Sequence, residues 1–158
     1  MEQTRVLVTG GLGHKGSQLV NELVEKGYEV FIIDNLTTGD KKNLNSKAYF
    51  IKGDVKDVNL VRCFMRNVKV VFHLAHNKLE DNMVENLTIL NLAIESNIPK
   101  LVYSIPSSTK VSISSVSGKA FENYLEFYNN NKVIKIYVTK LKDAKNNKEF
   151  AKIIEWIK

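Results

Sequence analysis

Hydrophobic and polar positions along this chain switch between the strand and the helix period. Val6-Leu7-Val8 is a short apolar run that breaks into Thr9-Gly10-Gly11-Leu12-Gly13-His14-Lys15-Gly16, then resumes as Leu19, Val20, Leu23 and Val24 until Gly27. That is strand, tight turn and helix. A second run, Tyr28 to Ile33, ends in Asp34; Thr37-Thr38-Gly39-Asp40 predicts a turn, followed by one helical turn over Lys41 to Leu44. Ala48 to Lys52 predicts a third strand, and Leu60, Val61, Phe64, Met65 and Val68 recur at helical spacing. Lys69 to Ala75 predicts a buried parallel strand. From Asp81 to Asn97 the positions Met83, Leu87, Leu90 and Ile94 form a helical stripe, widened by Ile89 and Ala93. Pro99 returns the chain to a fifth strand, Lys100 to Ile105. A serine-rich stretch from Ser104 to Ser117 leads into a helix carrying Phe121, Leu125 and Tyr128 on one side. Lys132 to Val138 predicts a sixth strand, and Phe150, Ile153, Ile154 and Ile157 the buried face of a closing helix with Trp156 at its edge.

Strand and helix alternating in this way predict right-handed crossovers and an α/β, doubly wound parallel sheet, the Rossmann fold, of about six strands. Ligands of such sheets bind beyond the carboxyl ends of the strands, at the switch between the two halves. No repeat or linker divides the chain, so residues 1–158 are expected to form a single domain without a separate substrate domain. Composition adds little: 44% hydrophobic and 25% charged residues suit a globular chain. No apolar run reaches the roughly 20 residues of a membrane span. Glu2 and Arg5 lead straight into a strand instead of a signal peptide, so a cytoplasmic location is expected. Cys63 is the only cysteine and is expected to be a small helical packing residue. The net charge of +6 is spread along the chain, and without a basic stripe interleaved with aromatics nucleic acid is an unlikely partner.

The chemistry lies in the glycine turn. Glycine lets backbone approach a pyrophosphate, and the positive end of the following helix stabilises its charge. Asp34, at the end of the second strand about 20 residues on, is placed to accept both adenosine ribose hydroxyls and to repel a 2′-phosphate. The expected cofactor is NAD. Lys15, at the helix start beside His14, could meet a phosphate directly or project into solvent. His73 and His76 lack a third ligand at metal-binding spacing, so no metal site is expected.

Thr-Gly-Gly-x-Gly-x-x-Gly followed by Asp34-Asn35-Leu36-Thr37-Thr38-Gly39 resembles the extended short-chain dehydrogenase/reductase family, especially its nucleotide-sugar epimerases and dehydratases. Gly53-Asp54-Val55, Val71-Phe72-His73-Leu74-Ala75, Asn82 and Lys100-Leu101-Val102-Tyr103-Ser104 extend the resemblance across roughly two-thirds of the chain. The resemblance implies cofactor contacts at Gly10, Gly13, Gly16, Asp34, Asn35, Asp54, Val55, Leu74, Ala75 and Lys119; His14 and Lys15, which replace the apolar pair usual in the family's glycine turn, join the candidate set by their place at the helix start. Within it Asp54 and Val55 would meet adenine, Leu74 and Ala75 would flank the cofactor, and Lys119 would hold the nicotinamide ribose. It also implies a homodimer through helices 81–97 and 119–129.

Catalysis in the family uses Tyr-x-x-x-Lys on one helical face, the lysine lowering the phenol pKa. Here Lys119 is the candidate lysine, but Ser115 stands four residues before it, and a register shifted by one offers Ser114. A serine hydroxyl is too weak an acid to replace a phenol. Tyr124 lies beyond Lys119 and is expected to pack, and Pro106 takes the place of the catalytic hydroxyl after the fifth strand, unless Ser107 or Ser108 reaches the site. The expectation is an NAD(H)-binding relative without the usual catalytic groups, acting as a binding or regulatory module. Its rivals are a minimal epimerase or oxidoreductase with an unusual acid, and an interaction scaffold with a vestigial site.

Overall fold

The computed structural model describes residues 2–74, 82–104, 116–139 and 148–158, leaving aside the side chains of residues 82, 83 and 116–122. In chain order the elements are β1 (Arg5–Thr9), α1 (His14–Glu25), β2 (Glu29–Asp34), a 3-10 turn (Lys41–Asn43), β3 (Tyr49–Lys52) and α2 (Val58–Phe64). They continue with β4 (Val70–His73), α3 (Asn82–Glu95), β5 (Lys100–Ser104), α4 (Val116–Asn130), β6 (Lys135–Thr139) and α5 (Lys148–Ile157). The six strands form one parallel sheet in the order β3-β2-β1-β4-β5-β6. The order reverses between β1 and β4, which is the switch point expected of a doubly wound sheet.

Period-two alternation divides the strand residues between two cores. Val6, Val8, Val30, Ile32, Phe72 and Val102 face α1 and α5, which contribute Leu19, Leu23, Phe150 and Ile153. Leu7, Ile33, Val71 and Leu101 face the other way, onto Val61 of α2, Ile89, Leu90 and Ala93 of α3, and Leu125 of α4. Both faces are therefore buried, as continuous apolar strands require.

Local chemistry sets the element ends. Gly27 adopts φ +85° just past α1, where a side chain would be strained. Asp57 caps α2, its carboxylate accepting from Leu60 N–H at 3.0 Å. Lys100, at the start of β5, donates from Nζ to the last carbonyls of α5, Trp156 at 3.1 Å and Ile157 at 3.0 Å, and ties that helix to the sheet.

Three expectations need correction. The sixth strand starts at Lys135, not Lys132, because Lys132 and Val133 donate back to Asn129 and Tyr128 carbonyls and Lys132 takes φ +56° to end α4. Cys63 is exposed: Val61 and Met65 turn inward, leaving Cys63 on the opposite side of α2. Tyr124 does not pack but is 49% exposed, since Leu125 beside it takes the inward position.

Candidate nucleotide site

The carboxyl ends of the strands lie in a row: Asp54 after β3, Asp34 on β2, Gly10 after β1, Leu74 after β4 and Ser104 on β5. At the usual spacing of about 4.8 Å between strands, Asp34 to Ser104 is about 15 Å, a span suited to an extended dinucleotide.

Gly10 turns the chain out of β1 with φ +72°, its N–H donating to Ile33 carbonyl at 2.9 Å. Gly13 is the N-cap of α1 and supplies no side-chain cap, so the helix end faces the cleft as bare backbone. The three glycines have different reasons. A Cβ at Gly16 would lie 2.1 Å from Gly10 O and 3.0 Å from Gly11 Cα, so α1 can cross the turn this closely only with glycine there. Among the described residues a Cβ at Gly13 would meet only Gly10 O, at an ordinary 3.5 Å, so their packing does not require that glycine.

Asp34 is 6% exposed, and its side-chain oxygens accept from backbone donors: Leu12 N–H at 3.0 Å on Oδ2 and Leu36 N–H at 2.8 Å on Oδ1. Each oxygen keeps acceptor capacity for a hydroxyl. The other expected residues divide. His14 is exposed and Lys15 half-buried in the first turn of α1. Asn35 turns its Oδ1 onto Thr37 N–H at 2.9 Å, and Asp54 turns Oδ1 onto Lys56 N–H at 2.8 Å. Both side chains thus shape their own loops. Val55 is buried in the core with Val61 of α2 and Ile89 of α3. Leu74 is half-buried beside β1, its N–H donating to Thr9 carbonyl at 3.1 Å. Ala75, His76, Pro106, Ser107, Ser108, Ser114 and Ser115 lie outside the described residues, as does the side chain of Lys119, whose backbone is in the first turn of α4.

Beneath the cleft runs a buried polar chain that the periodicity did not reveal. Thr9 Oγ1 and His73 Nδ1 are 2.7 Å apart, His73 Nε2 and Asn86 Oδ1 2.8 Å, and Asn86 Nδ2 donates to Tyr103 hydroxyl at 2.9 Å. With its amide nitrogen on Tyr103, Asn86 turns its oxygen to His73 Nε2, while His73 Nδ1 meets the Thr9 hydroxyl. Thr9 hydroxyl also accepts Leu74 N–H at 3.2 Å, locking β1 to β4 at the switch point. The available signal was Asn86 itself, a polar side chain on the inward stripe of α3.

The model of the NAD dependent epimerase/dehydratase family matches residues 6–131. The chain belongs to this family. Over 112 residues it is 38% identical to a putative UDP-glucose 4-epimerase of Methanocaldococcus jannaschii, an alignment covering 63% of this chain and 37% of the relative. The crystal structure of a Thermotoga maritima UDP-glucose 4-epimerase with UDP-glucose superposes with a TM-score of 0.75 and 26% identity, over 87% of this chain and 55% of that one. A Thermus thermophilus UDP-glucose 4-epimerase, crystallised in complex with NAD, gives a TM-score of 0.71 and 27% identity, over 87% and 54%. This family member therefore spans about a third of the curated relative and about half of the solved ones.

Proposed function

We propose that this epimerase/dehydratase relative binds NAD(H) across the β1–β4 switch and serves as a binding or regulatory module without the usual epimerase chemistry. One observation carries the reading: a glycine turn whose middle glycine the packing of the described residues does not require, set beside an aspartate pinned at the end of β2. Dinucleotide pyrophosphate would lie on the N-terminus of α1 and adenosine ribose on Asp34. NAD in the Thermus relative supports this choice of ligand. A bound cofactor would supply hydride chemistry; residues of this chain would bind and orient it. The missing phenol four residues before Lys119 supports the non-catalytic part.

The same reading includes a homodimer through α3 and α4. Val84 on α3 and Tyr124 and Phe127 on α4 are 65%, 49% and 59% exposed, and Asn123, Tyr124, Phe127 and Tyr128 line a hollow of about 410 Å³. Between Asn123 and Asn130 the only charged residue is Glu126, so in a chain with net charge +6 this stretch of α4 brings little charge to a contact between two copies. The functional test is a titration with NADH followed by energy transfer from Trp156, repeated with Asp34→Ala, alongside a turnover assay with UDP-glucose and UDP-galactose. Saturable binding weakened by the substitution, with no turnover, is expected. Turnover that requires Lys119 would overturn the non-catalytic reading, and absence of NADH binding would overturn the cofactor site.

A further inference from the structure

The peptide between Leu12 and Gly13 is held from outside the glycine turn. Leu12 carbonyl accepts two donors from the segment after β2: Asp40 N–H at 3.1 Å and the side-chain amide of Asn43 at 2.9 Å. The side chain of Leu12 is fully buried, which fixes the residue from below.

The segment supplying those donors is itself braced. Asp40 accepts Lys42 N–H on Oδ1 at 2.9 Å, and Asn43 N–H donates to Asp40 carbonyl at 2.9 Å. Further on, Asn45 donates to Asn21 Oδ1 of α1 at 2.8 Å. Gly39 passes so close to Asp34 that a Cβ there would lie 2.8 Å from its carboxylate. Residues 35–45 thus form a strap from Asp34, over the glycine turn, to α1.

A trans peptide is planar, with its C=O and N–H pointing opposite ways. Two donors on Leu12 carbonyl therefore set the direction of Gly13 N–H, which closes the turn by donating to Gly10 carbonyl at 3.3 Å. We propose that Asn43 is a positioning residue for the dinucleotide: it holds the Leu12–Gly13 peptide so that the glycine turn is already closed in the shape that receives a pyrophosphate before ligand arrives. The strap that presents Asp34 to the ribose and the strap that orients the phosphate turn are one segment. This inference rests on the NAD(H) reading above.

The discriminating variant is Asn43→Asp, which keeps the shape but replaces the N–H donor by a carboxylate facing a carbonyl oxygen; Asn43→Ala is the companion. Loss of one preorganising hydrogen bond is expected to weaken NADH binding about tenfold by calorimetry and to speed amide exchange of Gly13 about tenfold in the NADH-free protein. Exchange at Val71 in the sheet should not change. Unchanged NADH affinity in both variants, or unchanged Gly13 exchange, would overturn the role of Asn43 while leaving the cofactor site standing. If the unaltered chain fails to bind NADH, the cofactor reading falls and this inference with it.

Discussion

Gly13→Ala and Gly16→Ala are predicted to fail in opposite ways, although both add one methyl group to the same turn. At Gly16 the new Cβ would lie 2.1 Å from Gly10 O, about an ångström inside the closest approach a Cβ makes, and all its nearest atoms are backbone. Backbone cannot rotate away, so α1 must shift off the turn. Overpacking of this kind costs about 1–3 kcal/mol or more. For a chain of 158 residues that corresponds to a fall in Tm of about 2–12 °C, at about 2–4 °C per kcal/mol. At Gly13 the new Cβ would lie 3.5 Å from Gly10 O and the backbone is at φ −70°, ψ 171°, which alanine adopts freely. Glycine is the better N-cap by less than about 1 kcal/mol, so Tm should move by no more than about 4 °C. If that face of the turn receives the pyrophosphate, the methyl group would crowd it, and NADH affinity should fall by at least about tenfold. Differential scanning fluorimetry and calorimetric titration of the two variants separate these effects. A Gly13→Ala protein that binds NADH as tightly as the unaltered chain would refute the assignment of that face to a pyrophosphate. A Gly16→Ala protein of undiminished stability would refute the packing argument.

Asn86→Leu should lower stability by about 1–3 kcal/mol, because it removes the amide that joins His73 to Tyr103 in the buried polar chain; urea denaturation reads it, and an unchanged midpoint would show that the polar chain contributes nothing. Lys100→Met keeps the apolar stem but strips the two donors from the end of α5, and should cost about 1–2 kcal/mol with a changed near-ultraviolet signal from Trp156. Glu149 accepts from Thr139 hydroxyl at 2.7 Å and from Tyr137 hydroxyl at 3.3 Å, and the Thr139 bond foremost holds its carboxyl below the usual glutamate range. A depressed folded pKa adds stability above the unfolded value and loses it as pH falls through the folded one. Thr139→Val should therefore be less stable by about 1 kcal/mol at neutral pH, the gap narrowing as the medium is acidified below about pH 4; a gap constant with pH would contradict the assignment. Phe127→Ser should turn a sedimenting dimer into a monomer, and a monomeric unaltered chain at tens of micromolar would remove the dimer altogether.

The fold was legible because both faces of the sheet are covered, so each strand is a near-continuous apolar run and each helix a single stripe. Where sequence misled, a neighbour had overridden local propensity. Lys132 to Ile134 are β-prone, yet the end of α4 uses their N–H groups and postpones β6 to Lys135. Leu60 and Met65 bracket Cys63 in an apolar run, but the phase of α2 sets Cys63 outward. In the candidate site, Gly10, Gly13, Gly16 and Asp34 could be read from spacing because their work is done by backbone and by position in a strand–turn–helix unit. Val55 illustrates the opposite: its motif gave its place beside the cleft, while only packing shows that its side chain belongs to the core. Thr9, His73, Asn86 and Tyr103 come from four different elements, and Asn43 reaches Leu12 across 31 positions. Side-chain pairings of that range leave no periodic trace.

The claim on which the rest depends is that the glycine turn and Asp34 hold NAD(H), and a calorimetric titration of the chain with NADH and, separately, with NADPH tests it most directly. The account predicts one saturable NADH site per chain, with NADPH bound more weakly because the Asp34 carboxylate repels a 2′-phosphate. Absence of heat with either dinucleotide would contradict the site, and equal or tighter binding of NADPH would contradict the role of Asp34.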